Sequence, residues 1–326
     1  MLKTKIKKIQ RFLPIIGIII LFYIIYTLDL SRIVDALLRI SPIFILLGLL
    51  LTIPRLIVRN YAWQIIQKEQ KIYLSFFKSL KIFLIGFFYG SITPGYFGQL
   101  MRVLYLKKET KQPYGKLFVC TFLEVIIHSL SMYGMIFIGA ILVLGSDQRF
   151  FYIISIFILI QTVILLYFIK KERGEKIFQL LIKLFIPKKF KRYFYLFVNT
   201  FYHDFPSINK LIFPLILGLF SWIIIFSQEY MVVLSLGIDL PYIYFILLYP
   251  IANAIGFLPI TFAGLGTREA MAIYLFSIAF FSVSKEEILI VSLLGFLITD
   301  IFTGFIGFLL SLSETKIVNY NVNILK

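Results

Sequence analysis

Apolar runs of about 20 residues, separated by short basic stretches, constrain this chain more than any motif in it. A run of that length spans the hydrocarbon core of a bilayer as a helix, and a soluble domain has no use for several of them. Six such runs are legible, at roughly 12–28, 42–66, 117–144, 151–169, 211–236 and 287–311. The reading is an all-α polytopic membrane protein. Of its 326 residues 60% are hydrophobic and 15% charged, which is too apolar for a soluble chain. The formal charge of +17 does not point to nucleic acid, because apolar runs of this length serve no DNA-binding fold. The basic start, Met1 to Arg11, leads into the first run without a small-residue cleavage site at Tyr26-Thr27-Leu28-Asp29. The first run is therefore read as a retained transmembrane helix.

Two further apolar segments do not read as single crossings. Segment 82–106 is interrupted by Thr93-Pro94-Gly95 and Gly98, and segment 242–281 by Pro259 and Gly264-Leu265-Gly266. Proline and glycine end or kink helices. The halves of the first are too short to cross, so it reads as a re-entrant hairpin. The second reads as a hairpin or as two short spans. Either way the chain returns to the side it came from.

Charge then orients the chain. With the N-terminus inside, segments 1–11, 67–81, 107–116, 170–210 and 312–326 are cytoplasmic and hold 25 basic and 6 acidic residues. The other side holds 4 basic and 6 acidic. Making 82–106 a full crossing would put 107–116 and 170–210 outside, against the positive-inside rule. Both termini are thus expected in the cytoplasm of a cell-membrane protein. Segment 170–210 reads as a basic interfacial stretch, amphipathic in part or simply a solvated linker.

Eight charges remain at membrane depth: Arg55, Arg59, Arg102 and Arg268 against Glu124, Glu229, Glu269 and Asp300. An isolated charge there costs about 2.5–3.5 kcal/mol, so their balance implies mutual pairing or a wet cavity. Each broken segment has a proline, a glycine four or five residues on, and an arginine four residues after that glycine. Opposed interrupted segments in two halves, 1–169 and 211–326, suggest an inverted-repeat transporter within one transmembrane domain, 1–326. Pro94 and Pro259 would break the helices at Gly98, Gly264 and Gly266. The half-helices that follow would offer free N–H groups to an anion, with Arg102 and Arg268 as fork donors for phosphate. The alternative for each arginine is an internal ion pair.

Arg59, four residues after Arg55, is a further headgroup candidate, with snorkelling to the interface as its alternative. Glu124, Asp300, Glu269, Glu229 and His128 are candidates for balancing charge or carrying protons. Glu124–Arg102 and Asp300–Arg268 are the expected pairs, and His128 is expected to be packed and hydrogen-bonded. No phosphate-binding loop or metal-ligand spacing is present, and Cys120 stands alone. No cofactor or metal is therefore expected.

The residues Arg59-Asn60-x-x-Trp63, Pro94-x-x-x-Gly98-x-x-x-Arg102 and Pro259-x-Thr261-x-x-Gly264-Leu265-Gly266-x-Arg268-Glu269 resemble the transmembrane region shared by lysylphosphatidylglycerol synthase/flippase proteins and AglD-type membrane proteins. The resemblance covers nearly the whole chain. It implies a flippase-like fold with two re-entrant hairpins, a homodimer among its arrangements, and membrane lipids with anionic headgroups as partners. Where the family has an acid after the first hairpin glycine, this chain has Gln99. The aminoacyl-transfer domain of the synthase members finds no counterpart, so that activity is not carried over. The leading expectation is a transporter, not an enzyme, that moves a phospholipid or polyprenyl-phosphate-linked lipid between leaflets. The alternatives are an intramembrane glycosyl- or headgroup transferase and a non-catalytic accessory protein of envelope lipid synthesis.

Overall fold

The computed structural model describes residues 19–93, 95–143, 206–257, 261, 263–279 and 283–314, with a few isolated positions between 152 and 199. Pro94, Pro259, the start of the first run, nearly all of 151–205 and the last twelve residues lie outside it, and with them both termini. The described residues form helices and turns. In chain order these are α1 (19–27), α2 (Leu30–Leu38), α3 (Pro42–Leu50), α4 (Thr52–Glu69), α5 (Phe76–Ser91), α6 (Arg102–Thr110) and α7 (Tyr114–Val143). After the gap come α8 (Ile212–Ser235), α9 (Tyr242–Gly256), α10 (Thr267–Ala279), α11 (Lys285–Phe296) and α12 (Phe302–Leu312).

Among the described residues four helices are long and apolar enough to cross a bilayer: Pro42–Glu69, Tyr114–Ile141, Asn209–Ser235 and Lys285–Leu312. They coincide with four of the six expected spans. At 1.5 Å per residue each is about 40 Å long, enough for a core of about 30 Å. The first joins α3 to α4 through an irregular residue at Leu51. The cause is Pro54, which has no N–H for the carbonyl one turn back and whose ring crowds it. Pro42 starts α3 behind Ser41, and a Ser284/Glu287 capping box starts α11. Outward faces are apolar: Ile43, Leu46 and Leu50 on α3, Phe213 and Phe220 on α8, Phe305 and Leu309 on α12 are exposed. In water such faces would aggregate, whereas hydrocarbon accepts them.

Both broken segments are helical hairpins. In the first, Lys78 near the start of α5 pairs with Glu109 near the end of α6 at 2.9 Å, so the chain enters and leaves at one end. Glu314, beyond α12, reaches Lys81 and Lys108 at 2.7 Å each, and Lys210 pairs with Glu69. At the opposite end Ser41 N–H donates to the Ser235 carbonyl at 2.9 Å, and Asp29 N–H to Glu286 at 3.3 Å. Segments that the charge rule assigns to one face thus meet at one end. In the second hairpin α9 packs along α10. These helices have 15 and 13 residues, both short of a full crossing.

Each hairpin has its own apolar core. One core gathers Trp63, Phe83, Leu106, Leu117 and the lone Cys120 around the first hairpin. The other gathers Trp222, Phe226, Phe245, Tyr249 and Phe276 around the second. Four of the charges at membrane depth, Arg55, Arg59, Glu229 and Asp300, line a cavity walled by residues of both cores, Phe87 and Trp222 among them.

Candidate functional site

The first hairpin turns through two successive left-handed residues, Gly95 (φ 61°) and Tyr96 (φ 56°), into a short 3-10 turn, Phe97–Met101. Thr93 secures the reversal: its hydroxyl accepts from Gly98 N–H at 2.8 Å and lies 3.0 Å from the Tyr89 carbonyl. A side chain at Gly98 would stand 1.9 Å from that same carbonyl. The second hairpin turns through Ala263 (φ 45°), Gly264 (φ 78°) and Gly266 (φ 85°). A Cβ on Gly264 would lie 2.3 Å from the Gly256 Cα, so position 264 tolerates only glycine.

At each of the two half-helix N-termini one N–H expected to face an anion is already taken by the chain itself. Gly98 N–H is taken by Thr93, and Gly266 N–H by the Glu269 carboxylate at 2.5 Å. The reason is general: at membrane depth a backbone N–H without a partner is too costly to leave open. Glu269 is thereby part of the second turn.

Arg102 and Arg268 are buried and engaged by the chain itself. Arg102 donates to Glu124 at 2.7 Å, to the Gln99 carbonyl at 3.2 Å and to the Gln99 side-chain oxygen. Its guanidinium lies 5.1 Å from Trp63 and 4.9 Å from Phe83. The expected Glu124–Arg102 pair is formed, and Gln99 serves Arg102 as a neutral acceptor. The expected Asp300–Arg268 pair is not formed. Arg268 donates to its neighbour Glu269 at 2.6 Å and to Ser292 at 3.1 Å, and stacks over Phe296 at 4.6 Å. A carboxylate one residue away on the same first turn is reached without bringing another helix closer.

Arg55 and Arg59 point inward instead of snorkelling. Arg59 donates to the second oxygen of Glu124 at 3.1 Å. Arg55 donates through Nη2 to the Thr299 carbonyl at 2.9 Å and to the Thr303 hydroxyl. Thr299 belongs to a π-helical turn, Leu297–Ile301, a local widening that leaves backbone acceptors available and recurs at functional sites. Asp300 in the same turn accepts from Tyr96 Oη–H at 2.8 Å and from Thr299 at 2.9 Å.

These groups line a cavity of about 350 Å³. Arg55, Arg59, Gln99, His128, Glu229, Asn253 and Asp300 supply its polar wall, and Tyr96, Phe97, Trp222 and Phe257 its aromatic one. The tips of both hairpins meet here, with the Tyr96 and Phe257 rings 5.2 Å apart. Arg102, Arg268 and Glu124 are not among the lining residues. Two lining groups are buried without partners. Glu229 Oε2 accepts nothing, and neither ring nitrogen of His128 is bonded. His128 was expected to be packed and hydrogen-bonded. It is packed, stacked on Trp222 at 4.4 Å, but its nitrogens are open. Tyr96, Trp222 and Asn253 were not anticipated, and the only sequence signal was Asn253, an amide within an apolar run. Among the described residues no group of three or more His, Cys, Asp or Glu is placed to hold a metal.

Long apolar helices around a buried, internally charged cavity define an integral multi-pass membrane protein with a polar site enclosed in its helical bundle. The chain belongs to the family described as the lysylphosphatidylglycerol synthase TM region, which matches residues 13–307. It is also similar to the UPF0104 membrane protein MJ1595 of Methanocaldococcus jannaschii, at 24% identity over 324 residues. That match covers 95% of this chain and 96% of the relative.

Proposed function

We propose that this chain moves a lipid with a phosphate-bearing headgroup between leaflets, by way of the cavity between the hairpin tips. The observation that carries the proposal is the pair Arg55 and Arg59 on the wall of a 350 Å³ cavity. That volume suits a small headgroup, or about ten waters. No carboxylate forms a salt bridge with Arg55 among the described residues, so its charge is available to an anion. Arg59 shares one carboxylate, Glu124, with Arg102, which leaves a second unit of positive charge behind the cavity wall. Arg102 and Arg268 hold the two hairpins in shape in this reading and reach a headgroup only when the hairpins move. The two hairpins are read as re-entrant and as an inverted pair, the first opening to the cytoplasm and the second to the outside. Alternate movement of the two would expose the cavity to each leaflet in turn.

The test is leaflet exchange of a fluorescent phosphatidylglycerol in vesicles of phosphatidylglycerol and phosphatidylethanolamine carrying the purified protein. Arg55→Ala and Arg59→Ala, singly and together, should slow exchange at least tenfold while folding is retained. Unchanged exchange in the folded double variant would defeat the proposal. A covalently altered lipid in the same vesicles would instead favour transfer chemistry.

A further inference from the structure

Glu229 is the one acid on the cavity wall with a bare oxygen. It is 2% exposed, and its Oε2 has no partner. Its side chain lies against α11 where Gly295 leaves room: a Cβ there would stand 3.0 Å from the Glu229 Cγ. An ionised carboxylate without a partner is expensive at this depth, whereas its protonated form is not. The groups that face it are Arg55 from α4, Asp300 from the π turn, Arg268 from α10, Tyr249 from α9 and Tyr96 from the first hairpin tip. His128 of α7 lines the same cavity. Of the cations, Arg268 is engaged by Glu269 and Arg55 by neutral acceptors alone. Arg268 acts on Glu229 more strongly than Arg55 does, but it does not line the cavity; Arg55 does, and is the cation that a headgroup there can draw away.

We propose that Glu229 is a proton-binding site and that it competes with the anionic headgroup for the charge of Arg55, so that headgroup and proton enter the cavity together. Above the pH at which the empty cavity releases the Glu229 proton, Arg55 is one of two cations that support the ionised acid. With a phosphate against Arg55 that share of the support is spent, and a negatively charged Glu229 would face a second anion, so it takes up a proton. Linkage makes the effect reciprocal: protonating Glu229 tightens headgroup binding by the same factor. The ligand of the Glu229 site is a proton and not a metal ion, because no third acidic or imidazole ligand joins Glu229 and His128 closely enough among the described residues. The first half, that Glu229 binds a proton, stands on its own geometry. The second half rests on the lipid-transport reading.

Infrared difference spectra of the full-length protein in detergent, recorded through a pH titration, test the first half. The carbonyl stretch of a buried protonated carboxyl should appear as pH falls, vanish in Glu229→Gln and move in frequency in Glu229→Asp. Spectra identical in wild type and both variants would overturn the assignment, and the aspartate variant decides the matter should the glutamine variant not fold. Proton uptake on adding short-chain phosphatidylglycerol to the weakly buffered protein tests the second half. At a pH above the midpoint found by infrared, where Glu229 is ionised in the empty cavity, wild type should take up close to a single proton per chain and Glu229→Gln almost none. Binding without uptake, or uptake suppressed by sodium at constant pH, would overturn the coupling. Absence of lipid binding would fail the transport reading while leaving the infrared result to decide the proton site.

Discussion

Glu124→Gln removes the carboxylate on which two buried arginines converge. Its oxygens lie 2.7 Å from Arg102 Nη1 and 3.1 Å from Arg59 Nε. With charge centres about 4 Å apart and an effective dielectric constant near 20, each pair is worth about 4 kcal/mol, or about 8 kcal/mol in gross. Relieving the carboxylate of its desolvation returns several kcal/mol. The net loss is therefore about 3–5 kcal/mol, the range found when one partner of a buried pair is removed. Reversible unfolding in mixed detergent micelles measures it. Because the penalty is that of stranded cations, Arg59→Gln in the Glu124→Gln background should cost less than the two single changes added together, by about 0.5–3 kcal/mol. A Glu124→Gln protein within about 1 kcal/mol of wild type, or strict additivity in the double variant, would show that Glu124 does not hold the two arginines as a coupled network.

Gly264→Ala forces a side chain onto a left-handed residue and against the Gly256 backbone; a loss of at least about 1–3 kcal/mol is expected from the backbone alone, read as a lower unfolding midpoint. Tyr96→Phe removes a hydrogen bond to a carboxylate and should cost about 1.5–3 kcal/mol; an unchanged unfolding free energy would show that this bond does not hold the hairpin tip to the π turn. Glu314 is held below the usual carboxylate range by hydrogen bonds from Lys108 and Lys81. Its proton affinity is thus lower in the folded chain than in the unfolded one. The stabilisation it gives is complete above the ordinary glutamate range and disappears as pH falls through the lowered folded value. Wild type and Glu314→Gln should therefore differ in stability at neutral pH and converge in acid, and equal stability at neutral pH would show that the Glu314 pairs with Lys81 and Lys108 do not stabilise the fold.

Much of the architecture was legible because a bilayer permits so little. Apolar length predicted four helices that the structure contains. The excess of lysine and arginine predicted which loops share an end, as the Lys78–Glu109 and Lys81–Glu314 pairs bear out. Gly95, Gly264 and Gly266 marked where the two broken segments turn back, because each takes a positive φ that glycine accepts without strain. The Glu124–Arg102 pair was also within reach, since burial demands a partner and the candidates were few.

The choice among partners was not legible. Which acid meets Arg268, which arginine faces the cavity and which carboxylate is left bare depend on how helices far apart in sequence are rotated against each other. Arg55 lies 244 residues from the Thr299 carbonyl it meets, and Tyr96 lies 204 from Asp300. The residue order alone required that eight opposed charges either pair or line a wet cavity, because hydrocarbon does not tolerate them singly. Packing then assigned them: Arg102 and Arg268 meet Glu124 and Glu269, and Arg55, Arg59 and Glu229 face the cavity. That division follows from which side chains reach one another once the two apolar cores have packed.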